Sequence, residues 1–370
     1  MGAGGAARTM LNILNNIDNN KFEPILVTLN YDGSYEPYLH SDIKFIKLNT
    51  KRLRSAIIPL AKLLKQERAD IIFSTIPNYN VVVTIAKLLS FTKTKIMVRE
   101  AAFLGGSWKK NIQLLIYGLF YRFASQVVSL SNGVKKNLVK RYKVNPEKIE
   151  VIYNPIDLNS IQDSVLHGVI AKEHQSIFQS NAKVVMTAGR LVADKDQETL
   201  LEAFVKLNRK MESELVILGE GELEVELQLK ARRLNIDHKV HLIGFQRNPY
   251  IYFAEANVFV LTSKREGFGH VLVEALATET PVVSTKAKPG AEEVLANGLY
   301  GELCEVGNPD DIAKKLYDVL SLNNEELTQR IEKGLQRTKE FDAKIIVKQY
   351  EETFIQAINQ EEMLEKKRRG

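Results

Sequence analysis

Strand-type runs and helical stretches alternate along almost the whole of this chain, in two successive series. The runs EPILVTLN, IKFIKL, ADIIFST, KIMVRE, QVVSLS and KIEVIYN are rich in β-branched and apolar residues. Stretches of helical spacing separate them: one with Met10, Ile13, Leu14 and Ile17 on a single face, then 52–68, 81–89, 108–124 and 134–142. Ser131 or Asn132 is placed to cap the last of these. After a polar stretch the pattern restarts with KVVMTAG, SELVILGEG, KVHLIG, NVFVLTS, TPVVST and YGELCEV. Strands joined through helices pair in parallel, so each series predicts a doubly wound α/β sheet. The reading divides the chain into a first domain at 1–157, a linker at 158–180, a second domain at 181–342 and a terminal helix at 343–370.

Two domains suit a chain of 370 residues. The single cysteine, Cys304, excludes an internal disulfide framework and fits a reducing compartment. No apolar run reaches the ~18–20 residues of a membrane span, and the start of the chain lacks the pattern of a signal peptide. The expectation is a cytoplasmic protein. Charge is unevenly placed: residues 1–160 hold 23 Lys and Arg against 11 Asp and Glu, a net of +12, and the remaining 28 against 34 give −6. A basic first half points to an anionic partner such as a membrane surface or a phospholipid-linked acceptor; a generally solvated surface is the competing reading. No zinc, RNP or helix-turn-helix pattern supports nucleic acid.

The chemistry concentrates in R-E-G-F-G-H-V-L-V-E, residues 265–274. Glu266 follows the strand NVFVLTS, and Glu274 lies about two turns further on at helical rise. Gly267 and Gly269 let backbone approach a ligand closely, and a helix starting here aims free N–H groups at it. Carboxylates accept from hydroxyls and repel phosphate. The stretch therefore suits a polyhydroxylated anion, with amides for phosphate and carboxylates for sugar, although a plain surface turn with two solvated glutamates would read the same way. Upstream, Gly189-Arg190-Leu191 and Lys195 follow the strand KVVMTA; a guanidinium and an ammonium five residues apart can converge on a diphosphate. Gly219-Glu220-Gly221 and Gly244-Phe245 end two further strands and read equally as plain βα turns.

EGFGHVLVEA followed by TPVVST resembles the signature of the family 4 retaining glycosyltransferases, and GRL-x3-K-D resembles their pyrophosphate-binding loop. The likeness extends along nearly the whole chain. It implies the GT-B fold, two Rossmann-like domains facing a cleft, with the terminal helix returning to the first domain. It implies a nucleotide-diphosphate-sugar donor, UDP-linked, and a glycan or lipid-linked acceptor of the cell envelope, with no metal or other cofactor. Glu266, Arg190 and Lys195 become the catalytic candidates. Gly4, Gly5, Gly189, Gly244, Phe245, Gly267, Phe268, Gly269, Glu274 and Gly290 join them around the donor, Gly290 through a G-x-x-E turn with Glu293. Glu274 would hold the ribose hydroxyls.

Departures from the family pattern are informative. Lys286, Lys288 and Thr278-Glu279 replace residues usual in relatives near the sugar pocket. Many relatives carry a histidine where Arg99-Glu100 end KIMVRE; the pair reads either as acceptor-side contacts or as a local ion pair. Asp194-Lys195-Asp196 spells the D-x-D of metal-dependent GT-A enzymes, but the aspartates suit capping of the next helix. GGAAR resembles a loop that normally follows an apolar first strand, and no such strand precedes it. The expectation is that about ten strand-type residues lie ahead of Met1 in the natural gene. Peripheral contact with anionic membrane through Lys51, Arg52, Arg54, Lys109 and Lys110 is a further expectation. The alternatives are a catalytically inactive sugar-nucleotide-binding scaffold or partner subunit, and a GT-B sugar-nucleotide epimerase.

Overall fold

The computed structural model describes residues 5–29 and 36–369, with side chains as far as residue 359. The chain forms two compact units, Met1–Pro155 with Ala343–Gly370, and Ile156–Asp342.

The first unit opens with α1 (Gly5–Asn16), β1 (Ile25–Thr28) and β2 (Lys44–Lys47). It continues through α2 (Ile57–Glu67), β3 (Ile71–Thr75), α3 (Pro77–Ser90), β4 (Lys95–Glu100), α4 (Trp108–Tyr121), β5 (Gln126–Ser129), α5 (Asn132–Asn137) and β6 (Ile149–Val151). Ser131 caps α5 by accepting from the Val134 amide at 3.2 Å. All pairings are parallel. Alternation along β4 explains the layering: Ile96 and Val98 enter a core with helices α2 to α5, while Met97 enters the opposite one with Ile13 of α1.

The strands form two sheets, β1-β2 and β3-β4-β5-β6, and β1 and β3 are not bonded to each other. In a Rossmann order the first strand lies between the second and the fourth. Here β1 and β3 stand as those neighbours, so among the described residues the central position carries no strand.

The second unit runs α6 (Leu158–Leu166), α7 (Gln175–Phe178), β7 (Lys183–Ala188), α8 (Gln197–Asn208), β8 (Ser213–Leu218), α9 (Glu224–Arg233) and β9 (Val240–Leu242). It is completed by α10 (Tyr250–Glu255), β10 (Val258–Leu261), α11 (His270–Ala277), β11 (Val282–Thr285), α12 (Gly290–Val294), β12 (Glu302–Cys304), α13 (Pro309–Leu320) and α14 (Asn324–Thr338). Its six parallel strands take the order β12-β11-β10-β7-β8-β9, the undivided doubly wound arrangement. Val185, Leu215, Ile217, Val258 and Val260 pack beneath Leu200, Phe204 and Leu316 on one face.

Residues 158–180, read from sequence as a linker, are instead part of this unit and largely helical. The Asp157 side chain caps α6 by accepting from the Ser160 amide at 2.9 Å, Ile161 is buried, and Asn248 Nδ2 donates to the Ser164 carbonyl at 2.7 Å. A short helix burying one apolar side chain leaves little periodicity to read.

The terminal helix, α15 (Ala343–Arg369), belongs to the first unit. Ile346, Val347, Tyr350 and Phe354 pack with Met97, Val128 and Ile152. Tyr350 also accepts from Arg99 Nε at 3.0 Å. No helix among the described residues is long and apolar enough to cross a membrane.

Candidate functional site

Parallel strands bring the turns at their carboxyl ends to one edge of the second unit, where ligands of open α/β sheets bind. The turns after β7, β8 and β9 are held together by backbone. Gly219 accepts close approach because a Cβ there would stand 2.0 Å from the Gly189 carbonyl oxygen, and its own amide donates to the Gly244 carbonyl at 2.8 Å. The Leu191 amide donates to the Glu220 carbonyl at 2.9 Å. The loop carrying Arg190 is thereby fixed, while the side chain itself is exposed. Its guanidinium makes no ion pair or hydrogen bond among the described residues.

Lys195 turns back along Gly189, with its Cε 3.6 Å from where a Gly189 Cβ would lie. Its ammonium forms an ion pair with Glu266 Oε1 across 71 residues of sequence. Ser263 Oγ donates to the same oxygen at 2.7 Å, and Thr262 Oγ1 donates to the Lys195 carbonyl at 3.0 Å. Glu266 is 13% exposed and Lys195 23% exposed, so the pair is largely enclosed but keeps some contact with solvent. The Glu266 carbonyl accepts from the Gly290 amide at 2.9 Å. Gly290 is pressed against the Gly267-Phe268 backbone, and a Cβ there would come within 2.4 Å of Phe268 N and Cα.

The structure therefore brings together Lys195, Glu266, Gly189, Gly267 and Gly290. Gly269, at φ +94, turns the chain into α11. Phe268 contributes backbone only, since its ring is 2% exposed and lies edge-on to Phe341 with centroids 5.2 Å apart. Glu274 lies in the second turn of α11 and is 2% exposed. Gly244, at φ +71, has open space where a Cβ would be, and Phe245 beside it is exposed. Gly5 begins α1 in the first unit, and Gly4 lies outside the described residues.

Three readings of the sequence need correction. Asp196 occupies the cap position of α8 but makes no side-chain cap; its φ of +53 turns the carboxylate toward Lys264, 3.5 Å away. Arg99 and Glu100, expected on the acceptor side, are 0% and 1% exposed inside the first unit. They are not paired with each other either. Arg99 donates to Tyr350 Oη, to Thr75 Oγ1 at 3.1 Å and to Asn154 Oδ1, tying α15 to the sheet. Glu100 accepts from Tyr121 Oη at 3.0 Å, Tyr142 Oη at 3.1 Å and the Ala102 amide at 3.2 Å. Burial raises its pKa from the ordinary 4.5 to about 7, with those hydrogen bonds opposing the rise.

Ser263 was not singled out from sequence, although a hydroxyl residue three positions ahead of Glu266, just past β10, is the available signal. Among the described residues no three His, Cys, Asp or Glu side chains gather as a metal site would require. What the edge offers is a cation, a carboxylate held by a hydroxyl, and glycine turns that leave backbone accessible. Such a set can meet a diphosphate and a sugar side by side.

Comparison with known proteins agrees. Residues 170–337 match the family model for glycosyl transferases group 1, and residues 3–160 match that for glycosyltransferase family 4. The N-acetylgalactosamine-N,N'-diacetylbacillosaminyl-diphospho-undecaprenol 4-alpha-N-acetylgalactosaminyltransferase of Campylobacter jejuni is 31% identical over 86% of this chain and 88% of that protein. The UDP-Gal:alpha-D-GlcNAc-diphosphoundecaprenol alpha-1,3-galactosyltransferase of Escherichia coli is 25% identical over 91% and 92%. Among solved structures, Anabaena HepE in complex with UDP-glucose superposes with a TM-score of 0.81 at 23% identity, covering 95% of each chain. The chain has the GT-B fold and belongs to family 4 of the glycosyltransferases, enzymes of the hexosyltransferase type.

Proposed function

We propose that the second unit binds a UDP-linked sugar and that the enzyme transfers the sugar, with retention, to a lipid-linked or other envelope glycan. The observation that carries this reading is the Lys195–Glu266 pair, held by Ser263 against Gly189 and Gly290 at the sheet edge. Solved neighbours hold UDP and UDP-glucose, and the two relatives named above act on diphospho-undecaprenol substrates by their names.

In this mechanism Lys195 exchanges part of its contact with Glu266 for the donor's diphosphate. Arg190, free of internal partners among the described residues, swings onto the same group as a fork. Both stabilise charge that grows on the leaving diphosphate as the glycosidic bond breaks. The amides that open α11 add donors to it. Glu266, its position kept by Ser263, orients sugar hydroxyls and stabilises positive charge at the anomeric carbon. Glu274 holds the ribose. The acceptor's hydroxyl attacks from the face the diphosphate leaves, and the departing phosphate takes its proton. No metal or other cofactor is part of the site in this reading.

Thermal unfolding with a panel of nucleotide sugars tests the donor assignment. A UDP-sugar at 100 times its Kd should add about 2.7 kcal/mol of stability by mass action and raise Tm, with EDTA making no difference. No shift with any UDP compound, or a shift abolished by EDTA, would contradict it.

A lipid-linked acceptor also requires approach to a membrane, and we place the enzyme peripherally on its inner, cytoplasmic face. Lys51, Arg52, Arg54 and Lys109 are exposed, and Lys110 is partly so, which supports attraction to anionic lipid.

A further inference from the structure

The most unusual surface of the first unit is the outer face of α4. Trp108, Ile112, Leu115, Ile116, Leu119 and Phe123 are 42–69% exposed. Their spacing follows the helical repeat, so they form one continuous stripe running from the start of α4 to just past its end. The inner face is apolar as well: Leu114, Tyr117, Gly118 and Tyr121 are buried. A helix that is apolar all round is ordinarily enclosed by protein. Here the outer half is open, and contiguous apolar surface of this kind marks a place of association.

Charge decides what covers it. From Ala101 to Pro146 the sequence contains eight Lys and Arg and no Asp or Glu. Lys109, Lys110 and Arg122 lie on or beside α4 itself, with Lys109 Nζ 5.8 Å from the centre of the Trp108 ring. Cations with long stems flanking an apolar stripe suit a boundary where acyl chains meet anionic headgroups, the stems following the apolar side and the charges reaching the phosphates. A tryptophan at one end fits the headgroup level. An apolar protein partner would supply no counter-charge to this acid-free segment.

We infer that α4 is the element that enters the bilayer, lying in the interface plane with its Trp108-to-Phe123 face among the upper acyl chains of an anionic leaflet. This deepens the peripheral-membrane reading above and rests on it. It also adds a component that the basic residues alone lack: attraction by charge is screened by salt, whereas burial of the stripe is not.

Trp108 is the only tryptophan of the chain, so its fluorescence reports this face alone. The full-length wild-type protein is titrated with vesicles of phosphatidylglycerol and phosphatidylcholine, and with phosphatidylcholine alone, at low and at high salt. Co-sedimentation is measured in parallel. Expected are a blue shift of Trp108 emission with the anionic vesicles, quenching by lipids brominated on the upper acyl chain, and binding that persists in part at high salt. Ile116→Ser with Leu119→Ser, both exposed positions, should lower the partition coefficient at least tenfold while the protein keeps its Tm. Co-sedimentation with unchanged, unquenched Trp108 emission would overturn the inference and leave the membrane reading standing. No co-sedimentation would remove both. A lipid-free protein whose Trp108 is already blue-shifted, in a dimer that Leu119→Ser dissociates, would show that a second copy covers the face and would overturn the inference.

Discussion

Replacing Lys195 with alanine should slow single-turnover sugar transfer by about 10²–10³-fold, as expected for loss of one charged donor from a dry transition-state site. Donor binding should weaken too, but less, because the diphosphate gains charge as the bond to the sugar breaks. The same replacement should scarcely move Tm. Both side chains keep some solvent contact, and Ser263 still donates to Glu266 once the cation is gone. Arg190→Ala should follow the same kinetic pattern with even less effect on Tm, since its side chain is exposed in the free enzyme. Rapid-quench turnover measured beside a thermal scan checks both. A large loss of Tm, or a loss of affinity with no loss of rate, would assign Lys195 a structural or a purely binding role.

The second large effect lies far from that site in sequence and concerns pH. Glu100 titrates near 7 in the folded protein and near its ordinary 4.5 when the chain unfolds. Between these values the folded state keeps a proton that the unfolded state releases, so stability falls as pH rises. The stability associated with neutral Glu100 is complete below pH 4.5 and is lost as pH passes through about 7. The difference corresponds to roughly 3 kcal/mol for this fully enclosed group. Glu100→Gln cannot ionise and retains an oxygen to accept from Tyr121 and Tyr142. At pH 8 it should match or exceed the wild type in denaturant stability, and its advantage should vanish toward pH 4.5. A wild type and a variant with parallel stability–pH curves from 4.5 to 8 would show that Glu100 stays ionised in place.

Much of this architecture was legible in the sequence because parallel strands buried on both faces leave β-branched runs between glycine turns. KVVMTA, SELVIL and TPVVST became β7, β8 and β11 within a residue or two. The partners of charged residues were less legible. Lys195 and Glu266 were each recognisable from local motifs, but their ion pair spans 71 residues. Arg99 and Glu100 stand at a strand end, where charged residues normally face solvent or ligand. Their enclosure depends on Tyr121, Tyr142 and Tyr350, which lie 21, 42 and 251 residues from their respective partners. Nothing near KIMVRE announces those hydroxyls.

The terminal helix docks by the same Arg99 network, with Thr9 Oγ1 also donating to Asn154 at 3.1 Å. For α4 the periodicity was plain, yet apolar residues on both faces cannot tell which face protein covers. In the first unit, β1 pairs only with β2 and β3 only with β4 among the described residues.

One comparison tests the roles of the two carboxylates. Donor affinity and single-turnover rate are measured for Glu266→Gln and Glu274→Gln with the same accepted UDP-sugar. Glu266→Gln should bind the donor nearly as well as wild type and transfer sugar much more slowly, because its charge is needed when the anomeric carbon becomes cationic. Glu274→Gln keeps the shape of its side chain and one acceptor oxygen, so it should weaken donor binding more than it slows the bound complex. Near-normal turnover in Glu266→Gln, with Glu274→Gln losing chemistry at unchanged affinity, would contradict the assignment.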